Sequence, residues 1–265
     1  MFHFNFMRSA VKRVAVITLV LSASGLPSQA APVSLGEATR FAILSRSSVT
    51  NTGASVVNGD IGVSPAGSIT GFESATQIGG AMHWNTPAAT QAQSDLAVAY
   101  DAIAGETATQ NLTGQDLGGQ TLTAGVYRFN TSAQLTGSLI LDAQNDPNAR
   151  FVFQIGSTLT TASLSTVTLT NGGSTDNVYW QVGSSATLGT NTVFQGNILA
   201  LTSVTLTNGA TNRNGRVLAR NGAVTLDTNV VGFAVVIPEA GTLALAAMGC
   251  SVLGVLIRRR RVVAK

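Results

Sequence analysis

Cysteine and histidine are almost absent from this chain of 265 residues, which contains one cysteine and two histidines. The cysteine, Cys250, lies near the C-terminus, so residues 31–237 can form no disulfide and offer no thiol chemistry. That segment has a single histidine, His83, and its acidic residues are scattered. No spacing typical of a Ser-His-Asp triad or a metal site is present. The sequence therefore predicts a protein that is not an enzyme and carries no cofactor or metal.

Positive charge is concentrated at the two ends of the chain. The whole chain has a formal net charge of +3 and a pI near 9.5. Residues 31–237 contain seven arginines, no lysine and eleven acidic residues, which gives −4. Binding of nucleic acid requires a clustered basic surface, which seven scattered arginines do not provide. We therefore expect no nucleic-acid partner.

Residues 1–30 resemble a secretory signal. Basic residues precede the apolar run Val14–Leu21, and Ser28-Gln29-Ala30 has the small-x-small pattern of a cleavage site. A retained membrane anchor is the alternative, but the apolar run is short for a membrane span. We expect the mature chain to begin at Ala31.

Residues 238–265 have the order of a sorting tail. Pro238-Glu239 is followed by the uncharged run Ala240–Ile257 and then by the basic cluster Arg258–Arg261. This order resembles the PEP-CTERM tail of Gram-negative bacteria, although Ala240 stands where a second proline is typical. The resemblance implies an exosortase-type processing enzyme as a partner and a secreted or cell-surface location. A plain C-terminal membrane anchor is the alternative.

Threonine dominates residues 31–237, where it occurs 30 times. Together with glycine, asparagine, serine and valine it predicts short strands joined by tight turns. One segment differs, because Thr86-Pro87 has the pattern of a helix N-terminus and apolar residues follow at spacings of three and four until Gly105. We expect one amphipathic helix, about residues 87–105, packed against a β-domain.

A repeat of about 19 residues runs through the second half of the chain. Gly196–Ala200 recurs as Gly215–Ala219, and Val167–Gly172 matches Val204–Gly209 about two periods later. A period of this size, with three short strands, is typical of one coil of a parallel β-helix. An all-β sandwich is the alternative, but its strands would not keep the same residues at one period.

Alternation along the strands predicts which side chains face outward. In Ser203–Thr207 it places Val204 and Leu206 inside and the other three residues outside. The same phase in related segments places Thr166, Thr168, Thr170, Thr187 and Thr225 outside. Stacked coils lie about 4.8 Å apart, and alternate residues of a strand lie about 6.6 Å apart. The pattern therefore predicts a two-dimensional grid of hydroxyl and methyl groups.

A set of short segments is distributed over the whole of residues 31–237. These segments are Leu35-Gly36, Phe41–Leu44, Val49–Gly53, Gly59–Pro65, Thr70–Phe72, Leu117–Tyr127, Leu135–Gly137, Leu139–Asp142, Phe151–Gly156, Val178–Gly183 and Gly215–Ala219. Together they resemble the bacterial and fungal ice-binding family that was first catalogued as a domain of unknown function. The resemblance implies a mainly β fold, namely a right-handed, discontinuous parallel β-helix (solenoid) of triangular section with one long α-helix packed alongside.

The resemblance also implies a monomer that binds an ice crystal surface through one flat face. Rigid, uncharged threonines suit this task because β-branching limits their rotamers, so they order water at little entropic cost. The T-A/G-x-T/N pattern of strongly active members occurs only in near versions, at Thr52–Ser55 and Asn208–Thr211. We therefore expect inhibition of ice growth and recrystallisation rather than large thermal hysteresis. The candidate ice-binding residues are Thr168, Thr170, Thr187, Ser203, Thr205, Thr207, Thr225, Thr50, Thr52 and Thr211.

A cell-surface or exopolysaccharide-matrix protein that binds glycan is the alternative function, because sorting tails of this kind accompany exopolysaccharide production. A polysaccharide-cleaving β-helix would need clustered carboxylates. The tightest acidic cluster, Asp142–Asp146, precedes Pro147 and is typical of a turn. Sequence alone leaves open which of the three faces binds ice.

Overall fold

The structure is a computed structural model that describes residues 33–233. The expected export signal (residues 1–30) and sorting tail (residues 238–265) lie outside the described residues. Within residues 33–233 the chain forms short strands in three parallel sheets, one α-helix, and the 3-10 turns Gly36–Arg40 and Thr175–Asn177.

The three sheets are the three sides of a parallel β-helix. Sheet A contains β1 (Phe41–Ser45), β4 (Asp60–Val63), β7 (Met82–Trp84), β8 (Gln110–Asn111), β10 (Gly125–Phe129), β13 (Phe151–Ile155), β16 (Val178–Val182), β19 (Asn197–Ala200) and β22 (Arg216–Ala219). Sheet B contains β2 (Ser48–Thr52), β5 (Ser68–Thr70), β11 (Ala133–Leu135), β14 (Leu159–Thr161), β17 (Ala186–Leu188), β20 (Val204–Leu206) and β23 (Val224–Asp227). Sheet C contains β3 (Val56–Asn58), β6 (Thr76–Ile78), β9 (Thr121–Thr123), β12 (Ser138–Asp142), β15 (Thr166–Thr170), β18 (Val193–Phe194), β21 (Thr211–Arg213) and β24 (Val230–Gly232).

The coils do not stack in the order of the chain. The order in sheet A is β7-β4-β1-β22-β19-β16-β13-β10-β8, so the last coil pairs with the first coil. The inserted helix α1 (Pro87–Ala104) explains this order, because it lies along sheet A from β7 to β13 and carries the chain to the far end. A helix of this length spans about 27 Å, close to six strand spacings of about 4.8 Å. This confirms the discontinuous β-helix with one helix alongside.

Helix α1 covers the outer side of sheet A. Thr86 Oγ1 caps the helix by accepting a hydrogen bond from Ala89 N (3.3 Å), and proline occupies the first turn. Leu96 and Ile103 are buried against outward-facing side chains of the sheet, including Val152. The strands of sheet A from β13 to β22 are buried on both sides, so this side of the β-helix is closed to solvent.

The core side chains and the coil lengths both change along the axis of the β-helix. Tyr127, Phe153, Trp180, Ile198 and Val217 occupy equivalent positions in successive strands of sheet A. The rings of Phe153 and Trp180 stack with centroids 3.9 Å apart and planes 7° apart. The coils between the aromatic residues are 26 and 27 residues long, whereas the next two are 18 and 19. Larger core side chains therefore accompany longer coils.

The uniform period of about 19 residues is accordingly wrong for the middle of the domain. The match at two periods also relates strands that are not equivalent, because Val167–Gly172 contains most of β15 in sheet C and Val204–Gly209 contains β20 in sheet B. In both segments Asn-Gly follows a strand, and Gly172 and Gly209 both have positive φ. Similar strand-and-turn sequences therefore form two different corners of the β-helix.

Candidate functional site: the threonine face of sheet B

A file of threonines runs along the outer side of sheet B. The register of the sheet places each of them beside the next. In order along the axis they are Thr160, Thr187, Thr205, Thr225, Thr50 and Thr70. Neighbouring members lie about 4.8 Å apart because adjacent strands do. We call these six residues the central file, and Gln134 of β11 follows Thr160 at one end.

The central file faces outward because its neighbours in the sequence are buried. Val204 and Leu206, on either side of Thr205, are buried in the core, and Val224 and Leu226 flank Thr225 in the same way. The six threonines themselves are exposed or half-exposed. Within residues 33–233 their hydroxyls make no hydrogen bond to another protein atom. Each hydroxyl can therefore donate one hydrogen bond to water and accept others.

Hydroxyls beside the central file, in contrast, bind neighbouring coils. Ser203 Oγ accepts a hydrogen bond from Ala223 N (3.1 Å), and Ser185 Oγ accepts one from Ser203 N (3.3 Å). On the other side of the file, Thr207 Oγ1 donates to the carbonyl oxygen of Leu188 (2.8 Å). These bonds fix successive coils to one another, so the central file is held on a rigid support.

Charge is almost absent from this surface. In the seven strands of sheet B, Asp227 at the end of β23 is the one ionisable residue. Sheet C is more varied, because its outer side includes Asp142 and Arg213 as well as the exposed apolar residues Ile140 (39% exposed) and Val193 (45% exposed).

The structure brings seven of the ten candidate residues onto one side of the β-helix. Those in sheet B or directly before or after one of its strands are Thr187, Ser203, Thr205, Thr207, Thr225, Thr50 and Thr52. Thr168, Thr170 and Thr211 lie in sheet C instead. The hydroxyl oxygen of Thr211 is buried, which removes it from the outer surface.

Two members of the central file, Thr160 and Thr70, were missed by sequence reasoning. Each follows a buried apolar residue, Leu159 or Ile69, in the same phase as Thr205. That alternation could have identified them. The regular repeat did not include them, because Thr160 lies in a long coil and Thr70 lies before α1.

The structure also brings His83 close to Asp60, which is distant in sequence, and to Thr86, which is three residues further along the chain. His83 Nε2 lies 3.3 Å from Asp60 Oδ2, and His83 Nδ1 lies 3.2 Å from Thr86 Oγ1. The pairing of β4 with β7 creates this arrangement, which residue spacing could not show. Because the Thr86 hydroxyl also caps α1, the three residues connect the start of the helix to sheet A.

Within residues 33–233, no group of three or more histidine, cysteine, aspartate or glutamate side chains is placed to hold a metal ion. In the same range, no helix combines the length and apolar character needed to cross a membrane.

Comparison with known proteins identifies the family. Residues 43–232 match the family described as Ice-binding-like. The chain belongs to the ice-binding family. It is 49% identical over 261 residues to the ice-binding protein of Nostoc sp. (strain HG1), an alignment that covers 94% of this chain and 96% of that relative. This confirms the family expected from the sequence segments.

Solved structures of ice-binding proteins have the same fold. One from the Antarctic ascomycete Antarctomyces psychrotrophicus is 42% identical, with a TM-score of 0.72 over 75% of this chain and 97% of that one. Another, from an Antarctic biological consortium, is 44% identical, with a TM-score of 0.74 over 78% of this chain and 95% of that one.

Proposed function

We propose that this protein adsorbs to ice as a monomer through the outer side of sheet B, with the central file as its main contact. Membership of the ice-binding family supports ice as the ligand. The observation that carries the choice of surface is the register of six outward threonines whose hydroxyls are not used within the described residues.

The chemistry of the central file explains how it would bind. Each threonine presents a methyl group and a hydroxyl group at a position fixed by the sheet, and β-branching restricts its rotamers. Water molecules can bridge such fixed groups at a small cost in entropy. A regular array of them is a template for an ordered water layer that joins the crystal. Ice that grows between adsorbed molecules must curve, which slows growth and recrystallisation.

The other two sides of the β-helix are less suitable. Helix α1 covers sheet A, so its strands cannot contact a flat crystal. In sheet C, register places Thr166 beside Val193 and Val193 beside Thr211, so hydroxyl and aliphatic side chains alternate. That surface offers no uniform file. We assign His83 a structural role at the start of α1 and propose no catalytic activity.

We further propose that the protein is exported and that residues 238–265 act as a PEP-CTERM-like sorting tail for an exosortase of a Gram-negative bacterium. The order of Pro238-Glu239, the uncharged run Ala240–Ile257 and the basic cluster Arg258–Arg261 supports this proposal. The intact mass of the exported protein tests this proposal: a chain ending near Pro238 supports it, and a chain retaining Lys265 contradicts it.

The proposed surface is tested by two variants that introduce the same bulk on different sheets. Thr205→Tyr places a ring in the middle of the central file, whereas Thr168→Tyr places one at an exposed position of sheet C. We expect Thr205→Tyr to abolish inhibition of ice recrystallisation and Thr168→Tyr to preserve it, with equal circular dichroism and melting temperature. If Thr205→Tyr keeps full activity, sheet B is not the binding surface.

A further inference from the structure

Asp227 interrupts a second file of residues beside the central file. Register places Asp227 next to Thr52 of the first coil. Continuing the register of Thr205 with Thr225 by two residues brings Thr207, directly after β20, to the other side of Asp227. Thr207, Asp227 and Thr52 therefore form a side file with a carboxylate at its centre. It lies two residues along the strands from the central file, about 6.6 Å away.

The carboxylate of Asp227 is not neutralised by a cation within the described residues. Its Oδ1 atom accepts hydrogen bonds from Asn208 Nδ2 (3.2 Å) and Thr228 Oγ1 (3.1 Å). No arginine of residues 33–233 forms an ion pair with it, and its Oδ2 atom makes no hydrogen bond in that range. The half-buried side chain therefore presents a negative charge at the surface that holds the central file.

A carboxylate fits an ice surface poorly for a simple chemical reason. An ionised carboxylate only accepts hydrogen bonds, whereas a threonine hydroxyl both donates and accepts. Water in ice requires donors and acceptors in balance, and a growing crystal rejects ionic groups. Water molecules that solvate a carboxylate direct their hydrogen atoms toward its oxygens, and such an arrangement differs from the one that the threonine hydroxyls of the central file favour.

We infer that Asp227 limits the strength of ice binding by this protein. Its charge confines the ice contact to the part of sheet B that lies on the central-file side of the side file. This inference rests on the proposed use of sheet B. It predicts that removing the charge strengthens binding, although substitutions on an optimised binding surface ordinarily weaken it.

Two substitutions separate the charge from the structural role of Asp227. Asp227→Asn removes the charge but keeps an oxygen that can accept from Asn208 and Thr228. Asp227→Thr also restores the hydroxyl and methyl groups of the side file. Asp142 provides a matched control in sheet C, because its Oδ1 atom accepts from Asn171 Nδ2 of the adjacent coil (2.6 Å). Asp142→Asn therefore makes the same change of charge on a different side of the β-helix.

The experiment measures the lowest concentration of each purified protein that inhibits ice recrystallisation, together with its melting temperature. Single exposed charges change free energies by amounts that correspond to factors of about two to five. We expect Asp227→Thr to lower the effective concentration by such a factor, Asp227→Asn to lower it less, and Asp142→Asn to leave it unchanged. Should Asp227→Thr fold poorly, Asp227→Asn decides the result.

Two results would overturn the inference. The first is unchanged or weaker inhibition by folded Asp227 variants, and the second is an equal gain in Asp142→Asn. Thr205→Tyr, measured in parallel, separates this failure from failure of the proposed function. Loss of activity in Thr205→Tyr with no gain in the Asp227 variants contradicts only the role of Asp227, whereas full activity in Thr205→Tyr contradicts the use of sheet B.

Discussion

Thr205 lies directly beside Thr225 in the register of sheet B, and neither hydroxyl hydrogen-bonds to another protein atom of residues 33–233. Val204 and Val224, the residues before them, are side by side as well and are fully buried. Alternation within each strand thus fills the core and lines the surface at the same time. Because the coils stack in register, the buried valines form a continuous core along the axis. The outward threonines form a continuous face in the same way.

The junction between the N-terminal and C-terminal coils gives a first prediction. Thr50 pairs with Thr225 across this junction, so the central file is continuous there. Thr50→Tyr should therefore reduce inhibition of ice recrystallisation as strongly as Thr205→Tyr does. Thr76→Tyr is the control, because Thr76 is exposed on sheet C in the N-terminal part of the β-helix. Full activity of Thr50→Tyr would show that ice contacts the coils up to Thr225 but not the N-terminal coil that contains Thr50.

Trp180 gives a prediction about stability. Its side chain is fully buried and stacks on Phe153. Trp180→Ala should lower the free energy of unfolding by about 3–5 kcal/mol, since it leaves a cavity in a core that is held between long coils. Urea denaturation measures this change, with Val193→Ala as an exposed control. A loss for Trp180→Ala as small as that of the control would contradict the packing described for this core.

Asp116 gives a prediction about pH. Burial disfavours its charged form, but hydrogen bonds from the N–H groups of Gly118 (2.7 Å) and Thr136 (2.9 Å) outweigh this effect and lower the pKa of Asp116. A carboxyl group with a lowered pKa in the folded state stabilises the fold above its unfolded pKa, and this contribution is lost as pH falls through the folded pKa.

We therefore expect Asp116→Asn to be less stable than the wild-type protein at neutral pH, and the difference to shrink in acid. Melting temperatures measured from neutral to strongly acidic pH check this, with Glu73→Gln as a control at an exposed position. A difference that stays constant over the whole range would show that the charge of Asp116 does not contribute.

Local pattern was enough to predict much of this structure. Alternation correctly placed Val204 and Leu206 in the core, because burying two apolar residues leaves only one orientation for the residue between them. The helix after Thr86 was also evident, since its cap, its proline and its apolar spacing are local signals. Composition and the short repeat then indicated coils rather than a sandwich.

Long-range register could not be predicted in the same way. Thr168 and Thr205 have similar neighbours in sequence, yet they lie in sheets C and B. The sheet to which each strand belongs depends on the corner of the β-helix at which the preceding turn lies. The position of that corner depends on coil length, which differs between coils with large core side chains, such as Trp180, and coils with small ones. The pairing of Thr50 with Thr225 depends on where α1 returns the chain, which no local pattern records.

Growth of a single ice crystal in the presence of fluorescently labelled protein tests the central claim most directly. We predict that the wild-type protein and Thr168→Tyr are incorporated into the growing ice, because both retain an uninterrupted central file. Thr205→Tyr, at the same concentration and with the same fold, should be excluded. Exclusion of the wild-type protein, or incorporation of Thr205→Tyr to the same extent, would contradict ice binding through the threonine face of sheet B.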